Sequence, residues 1–353
     1  MNAGNESRIN RSTAPVFVLG SPRSGTTLLY DMLISSGHFA VYLGESNVFN
    51  LLIPRFGDLN KLGNRERLLH AWLGSKLFRA TGLEEEPIRT RVLNDCKHGG
   101  DFLSIVMGEV AQAQGVGRWA ENSPEAMLHL PTIKKLIPHA LVVHIIRDGR
   151  DVATSLGRLR YVRAFPWEDR HSIDGCGLYW EWMVQKGRRF GKDLGADYTE
   201  VYFEDLLARP RETLAKVGKF IGQELDYDKI QRVGYGSIRR PNTSFGQESP
   251  AAGFNPVGRW KKSLSSQQLF RLESLIGSTL NDLGYVPATG GAQKGLSAQL
   301  AVSRWLHRNY FRAKVWYKND PLIRMVRPKL TSADIDDIVL AEDPPPPDLP
   351  TSV

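Results

Sequence analysis

The feature that most constrains this chain is a short apolar strand followed by a small-residue loop and a helix, VFVLGSPRSGTTLLYDMLISS at residues 16–36. The first four residues favour a buried strand, and Gly20 ends it. Apolar residues then recur at helical spacing as far as Gly37. In this order, the backbone N–H groups of the loop and the positive end of the helix point at one position. The stretch therefore predicts a cradle for an anion.

The same loop differs from the phosphate loop of nucleotide hydrolases. Gly20 and Gly25 have the spacing of GxxxxGK[ST], but Thr26 stands at the lysine position. The cation is Arg23, inside the loop, and Thr27 adds a second hydroxyl. Such a loop can hold a phosphate, but it is poorly equipped to grip a transferring γ-phosphoryl group. A nucleotide kinase or hydrolase is therefore an alternative that Mg²⁺-dependent ATP turnover would reveal.

A second cationic motif follows a second predicted strand, ALVVHII at 140–146. Arg147 ends this strand, and Ser155 lies eight residues further on, in the next predicted helix. An arginine fork and a hydroxyl at this spacing can converge on one phosphate. Asp148 and Asp151 are predicted to act as helix-start and turn residues.

The PRSGTT loop resembles the 5′-phosphosulfate loop of sulfotransferases that use 3′-phosphoadenosine 5′-phosphosulfate (PAPS), and the second motif resembles their 3′-phosphate site. The resemblance covers roughly residues 14–285. It implies an enzyme that moves a sulfuryl group from PAPS to a hydroxyl or amine by in-line transfer, without a covalent enzyme intermediate or an essential metal. It also implies that the 5′-phosphosulfate is held by Arg23, Ser24, Gly25, Thr26 and Thr27, and the 3′-phosphate by Arg147 and Ser155.

Two looser matches extend the resemblance. VGRWK at 257–261 resembles the segment that covers the nucleotide in the family, which implies nucleotide contacts for Arg259, Trp260 and Lys261. The Arg-Lys-Gly that precedes it in cytosolic members is missing. Phe203 stands where the family usually has the tyrosine of a YED segment, near the adenine. Packing in the core is the alternative for Phe203 and Trp260.

The acceptor side needs a base for the acceptor proton and cations for the developing charge. Glu45 resembles the Gly-Glu segment of protein-tyrosine sulfotransferases, where a glutamate is the base, so Glu45 and Arg23 are the predicted catalytic residues. His98 is the alternative base, because cytosolic members use a histidine after a lysine. Asn122 replaces a lysine that the family often has. Because of that departure, the alternative of a protein with the same fold that binds a ligand but does not catalyse sulfuryl transfer stays open.

The strand–loop–helix units, with a third strand predicted at 199–203, indicate an α/β fold. We expect a three-layer, P-loop-like arrangement with a central parallel sheet flanked by helices and with sites at the strand ends. Residues 118–124 are predicted as a polar turn. The predicted organisation is a polar tail at 1–13, a sulfotransferase domain at 14–288, a basic aromatic helical appendage at 289–330 and a disordered acidic, proline-rich tail at 331–353.

Charge and composition bound the partners. The 353 residues carry a formal charge of +8, which permits a nucleotide, a membrane surface or a polyanionic acceptor. No dense Lys/Arg block indicates nucleic acid. Two cysteines, a polar start and the lack of a long apolar run predict a soluble, cytoplasmic protein without a transmembrane anchor.

The expected partner is a small-molecule, glycan, lipid or peptide acceptor. The aromatic residues that could line its site are Trp72, Tyr161, Phe165, Trp167, Tyr179 and Trp180. Residues 303–329 combine cations with aromatic rings. They are expected to lie on an anionic membrane, to cover the acceptor cleft or simply to pack on the domain.

Overall fold

A four-stranded parallel sheet forms the centre of the computed structural model, which describes residues 10–162, 165, 172–239, 255–290, 296–327 and 329–342. The strands are β1 (Val16–Gly20), β2 (Ala120–Glu121), β3 (Leu141–Ile146) and β4 (Tyr198–Tyr202), in the order β2-β1-β3-β4. All three pairings are parallel. The carboxyl ends of the strands therefore meet at one edge of the sheet, where loops can build a site.

Seventeen α-helices surround this sheet over the described ranges. They are α1 (Thr26–Ser35), α2 (Ile53–Phe56), α3 (Leu62–Leu73), α4 (Lys76–Arg79), α5 (Glu85–Asp95), α6 (Gly99–Ala113), α7 (Leu130–Leu136), α8 (Gly149–Arg158), α9 (Ile173–Leu194), α10 (Phe203–Ala208), α11 (Pro210–Ile221), α12 (Tyr227–Val233), α13 (Trp260–Ser263), α14 (Ser266–Asp282), α15 (Ala298–Asn319), α16 (Pro321–Val326) and α17 (Ser332–Glu342). A π-helical turn at Val48–Leu52 leads into α2, and short 3₁₀ helices occupy Pro124–His129, Gly195–Asp197 and Gly236–Ile238.

Both faces of the sheet are buried. Phe17 and Val142 belong to one apolar cluster together with α9 and α14. Val18 and Val143, the next residues along the same strands, belong to a second cluster with α1 and α11. Successive strand residues point to opposite faces, so these continuous apolar runs require helices on both sides. The predicted three-layer α/β fold with a parallel sheet is confirmed.

Two local predictions are wrong. Residues 120–121 form an edge strand beside β1, where the sequence analysis placed a turn; two residues are too few to show a strand pattern. Residues 332–342, inside the predicted disordered tail, form α17. Ile335 is fully buried, and the Ser332 hydroxyl donates to the Ala71 carbonyl at 2.8 Å. Residues 343–353 lie outside the described ranges.

The two flanking segments are attached to the domain. Arg11, at the end of the predicted polar tail, donates to the Phe220 and Ala196 carbonyls at 2.7 Å each. In α15, Phe311 belongs to the main apolar cluster, and Arg304 pairs with Glu181 of α9 at 2.6 Å. None of the helices in the described ranges has the length and hydropathy needed to cross a bilayer.

Candidate active site

The loop between β1 and α1 is shaped for close approach. Gly25 is the N-cap of α1 with φ +96°, and a Cβ atom there would lie 2.3 Å from the Phe203 ring. Only glycine fits this position. Arg23 also adopts a left-handed conformation, with φ +69°. The buried Ser24 hydroxyl has no hydrogen-bond partner within the described residues. The predicted loop residues therefore stand together at the start of a helix.

Arg147 lies directly after β3 and is 8% exposed. Its Nη1 donates to the Arg23 carbonyl at 3.0 Å and its Nη2 to the Pro256 carbonyl at 2.6 Å. Its Nε has no partner among the residues described. Burial lowers the pKa of Arg147, and the carboxylates of Asp151 and Glu204 oppose that change. The guanidinium stacks over the Phe203 ring at 4.5 Å, so Phe203 supports this cation.

The two phosphate motifs converge. The Arg23 Nε donates to the Ser155 hydroxyl at 3.2 Å, across 132 positions of sequence. Arg147 contacts the same loop through the Arg23 carbonyl. The donor set, with Ser24 Oγ and Arg147 Nε still unpaired, fits an anionic group with several oxygens. The predicted residues from both motifs therefore form one polar site at the sheet edge.

The segment around Trp260 is hydrogen-bonded to α8. The Asp151 carboxylate accepts hydrogen bonds from the Gly258 and Trp260 backbone N–H groups at 2.7 and 2.9 Å. Arg150 lies over the Trp260 ring at 4.1 Å. Asp148 caps α8 by accepting from the Arg150 N–H at 2.9 Å, as predicted. Asp151 instead joins the second motif to the segment at residues 257–261.

The nucleotide contacts implied for Arg259, Trp260 and Lys261 stay predictions. Trp260 is buried, and its ring contacts the Arg150 guanidinium, as the packing alternative requires. Lys261 is exposed, and the Arg259 Nε donates to the Asn255 carbonyl at 3.0 Å. Residues 240–254, most of the preceding loop, lie outside the described ranges.

A buried carboxylate that is not among the predicted site residues positions the segment of the predicted base. Glu121, at the end of β2, accepts hydrogen bonds from the Ser46 and Ser123 hydroxyls. Burial raises the pKa of Glu121, and the two serine hydrogen bonds oppose that rise. Glu45, the residue before Ser46, is half-buried. Because β2 neighbours β1, this contact brings the backbone at Glu45 to the edge that carries the Arg23 loop.

The alternative base has a structural role. His98 is the N-cap of α6: its Nδ1 accepts a hydrogen bond from the Asp101 N–H at 3.1 Å, and the Asp101 carboxylate accepts one from the His98 N–H at 3.2 Å. This reciprocal pair is a capping box. Asn122, at the position of the family lysine, is buried, and its Oδ1 has no partner in the described part of the chain.

A cleft of about 580 Å³, counted out to its opening, is lined in part by residues that follow Glu45, Glu121 and Ser155 in the chain. Asn50 follows Glu45, Glu125 follows Glu121, and Tyr161 follows Ser155. The far wall is α9 and α15, which contribute aromatic rings and two lysines: Tyr179, Trp182, Phe311, Lys314 and Lys318.

Two of the predicted acceptor-site aromatics, Tyr161 and Tyr179, line this cleft. Trp72 and Trp180 are core residues, Phe165 packs on His307 with ring centroids 4.9 Å apart, and Trp167 lies outside the described ranges. The sequence did not predict that Phe311, Trp182 and the two lysines line the cleft. They do so because α15 packs on α9 in the folded protein, and no local sequence pattern indicates that contact.

Polar groups in the cleft are arranged around Glu125. Its carboxylate accepts from the Tyr179 hydroxyl at 3.2 Å and lies 3.3 Å from the Lys318 ammonium. Burial raises the pKa of Glu125, but the Lys318 charge and these hydrogen bonds outweigh it and lower the pKa overall. Burial lowers the pKa of His129 to about 4. The Trp182 Nε1 has no acceptor among described residues, so the cleft holds a buried, unused donor.

Comparisons with known proteins agree with this geometry. The model of the sulfotransferase family matches residues 15–227. Protein-tyrosine sulfotransferase A of Caenorhabditis elegans is 24% identical over 88% of this chain and 79% of its own length. Protein-tyrosine sulfotransferase 1 of Danio rerio is 24% identical over 79% of this chain and 74% of its own.

The sulfotransferase domain from the curacin biosynthetic pathway has the same fold. It aligns with a TM-score of 0.51 at 15% identity, over 77% of this chain and 98% of that domain. The chain belongs to the sulfotransferase family. The predicted family and the prediction of an enzyme that transfers a sulfuryl group are therefore confirmed.

Proposed function

We propose that this protein transfers the sulfuryl group of PAPS to a phenolic hydroxyl, with Glu45 as the general base. The observation that carries the proposal is the convergence of Arg23, Arg147 and Ser155 at one sheet edge. A buried guanidinium whose side-chain donors go to backbone carbonyls keeps its charge for an anionic ligand. A nucleotide with phosphates at both the 5′ and 3′ positions would use both motifs.

In this proposal, the loop at residues 21–27 and the N-terminus of α1 hold the 5′ end of the nucleotide. Arg147 and Ser155 hold the 3′-phosphate. PAPS, when bound, supplies an activated sulfuryl group on a good leaving phosphate. Arg23 stabilises the negative charge that develops as the bond between sulfur and the phosphate oxygen breaks. Glu45 accepts the proton of the acceptor hydroxyl as its oxygen forms the new bond to sulfur.

Two observations favour a phenol as the acceptor. The cleft is walled by aromatic rings, including Tyr179, Trp182 and Phe311, and such walls suit a planar ring. Relatives over most of the chain are named protein-tyrosine sulfotransferases, and a tyrosine side chain is a phenol. The Trp182 indole lines the cleft, and its Nε1 has no acceptor among the described residues.

The test has a binding part and a turnover part. Calorimetry should give much tighter binding of 3′-phosphoadenosine 5′-phosphate than of AMP, by about 1.5–3 kcal/mol for one charge-assisted contact. Ser155→Ala should reduce that preference. Incubation with PAPS and a panel of phenols, carbohydrates, lipids and peptides should give sulfated phenols. Equal affinity for the two nucleotides would overturn the donor site, and sulfation of other acceptors alone would overturn the acceptor class.

A further inference from the structure

Helix α15 has two faces, and within the described part of the chain only one of them packs on the domain. Its inner face carries His307 and Phe311, which are both buried against the domain. On the opposite side, Trp305 is 64% and Trp316 is 63% exposed. The two tryptophans are eleven residues apart, which is about three helical turns, so they lie on one side of the helix. Indole rings of this size are rarely left in water without a partner.

The apolar surface continues along the helix and onto the next one. We define the outer face as the exposed apolar and aromatic residues of α15 and α16: Val302, Trp305, Leu306, Trp316, Tyr317, Leu322, Met325 and Val326. Met325 and Val326 are 81% and 83% exposed. The residues on α15 form a stripe along one side of the helix, and α16 adds three more exposed apolar side chains.

Cations border this stripe. Arg312 is exposed and falls between the two tryptophans in the helical repeat. The Arg327 guanidinium lies 4.3 Å from the centre of the Tyr317 ring. Residues 303–329 hold eight Lys or Arg residues and only one carboxylate, Asp320. Three of these cations face the domain or the cleft, since Arg304 pairs with Glu181 and both Lys314 and Lys318 line the cleft. Arg312 and Arg327 remain beside the outer face, and they match a partner that brings negative charge to an apolar boundary.

We propose that the outer face docks this protein onto an anionic membrane surface, with α15 lying in the interfacial plane. Tryptophan, leucine and methionine side chains enter the boundary between headgroups and acyl chains, while arginines remain beside the phosphates. An acidic protein could satisfy the cations, but it would give no apolar medium to aliphatic side chains exposed as fully as Met325 and Val326. The combination of charge and apolar side chains favours lipid.

Docking through the outer face does not bury the cleft in the bilayer, because the cleft lies on the other side of α15. Lys314 and Lys318 line the cleft from the inner side of the same helix, so the docked helix separates the bilayer from the cleft by one helix diameter, about 10 Å. The proposal does not depend on the sulfuryl-transfer reaction, because it concerns residues outside the polar site.

The experiment is sedimentation of the full-length protein with vesicles at low salt. Phosphatidylcholine vesicles containing about 30% phosphatidylglycerol should bind the protein, and pure phosphatidylcholine should bind it at least about tenfold more weakly. Trp305→Ser with Trp316→Ser should weaken binding to anionic vesicles by about tenfold or more. Arg312→Gln with Arg327→Gln should weaken it by about fivefold for each cation removed.

The matched control is Lys216→Gln with Lys219→Gln, two exposed cations on α11, which should bind as the wild type does. Thermal unfolding checks that each variant is folded. Failure of the wild type to bind anionic vesicles overturns the proposal. Binding that the tryptophan variant retains in full also overturns it, and then indicates a purely electrostatic contact of the kind an acidic protein would make.

Discussion

Arg147 illustrates how single residues of the site keep charge available for a ligand. It donates to the carbonyls of Arg23 and Pro256, and no carboxylate lies within salt-bridge distance among the described residues. Arg150, three positions later, behaves differently, because it pairs with Asp148 and Glu273 at 2.7 Å each. Arg150 is thus neutralised and structural, whereas Arg147 retains a charge that a phosphate can use.

The role of Glu45 can be tested with a substitution of equal size. Glu45→Gln keeps the shape and the hydrogen bonds but cannot accept a proton at neutral pH. We expect it to lower turnover by about 10²–10⁴-fold and to leave the affinity for 3′-phosphoadenosine 5′-phosphate nearly unchanged. Steady-state sulfation assays and calorimetry measure the two quantities.

His98→Gln is the matched comparison. Because His98 caps α6, losing it should lower the free energy of unfolding by about 1 kcal/mol and leave turnover almost unaltered. The base would be assigned to the wrong residue if His98→Gln abolished activity with nucleotide affinity intact while Glu45→Gln remained active.

At the scale of elements, α8 and the start of α13 act as one unit. Asp151 accepts hydrogen bonds from the Gly258 and Trp260 backbone N–H groups. Arg147 donates to the Pro256 carbonyl, just before them in the chain. Asp151→Asn should lower the free energy of unfolding by about 1.5–3 kcal/mol, since an amide cannot accept both bonds as a charge does. Urea unfolding measures the change.

Asp226 provides the control, because it caps the exposed α12 by accepting from the Asp228 and Lys229 N–H groups. Asp226→Asn keeps a good capping residue and should cost less than about 0.5 kcal/mol. Equal losses for the two variants would mean that the Asp151 contacts add no more than an ordinary surface cap.

The wall of the cleft on α9 gives a prediction about the acceptor. Trp182→Phe removes the unused Nε1–H donor but keeps an aromatic ring. The KM for a phenolic acceptor should rise by about 2- to 10-fold, the value of one neutral hydrogen bond, and the KM for PAPS should stay the same. Trp305→Phe, on the outer face of α15, should change neither. A KM for the acceptor that does not move in Trp182→Phe contradicts a polar contact at this position.

Elements with a strong local pattern could be predicted from the sequence. The β1–loop–α1 unit and the strand before Arg147 appear as expected, because continuous apolar runs and glycine positions carry their own signal. The two-residue strand β2 could not be predicted, and Glu121 was missed with it, because its role depends on the Ser46 hydroxyl 75 positions earlier in the chain. The cleft was missed for the same reason, since α15 reaches it only by packing on α9.

At the scale of the whole molecule, the C-terminal helices complete the domain. Helix α15 adds Phe311 to the main apolar cluster, and α17 adds Ile335, with Asp336 accepting from the Lys76 N–H at 2.6 Å. The part of the predicted appendage that forms α15 therefore packs on the domain, which is one of the alternatives given for residues 303–329. The core extends from the first strand to α17.

The buried His144 and the half-buried His129 make the whole fold sensitive to acid. Burial lowers the pKa of His144 to about 3 and that of His129 to about 4. Their unfolded pKa is about 6.5, so between these values the unfolded chain binds more protons and stability falls as the pH falls. The contribution is complete above about pH 6.5. Each histidine should cost about 2 kcal/mol of unfolding free energy between about pH 7 and pH 5.

Urea unfolding at these two pH values tests that loss, with His144→Asn as the informative variant. The amide can keep a hydrogen bond to the Tyr198 hydroxyl, which lies 2.5 Å from the His144 Nδ1, but it does not titrate. The variant should be less stable than the wild type at pH 7, because a smaller side chain leaves space in the core. It should lose about 2 kcal/mol less than the wild type on acidification. An identical loss in both proteins would show that His144 is not protonated on unfolding in this range, and the acid sensitivity would then have to come from other groups.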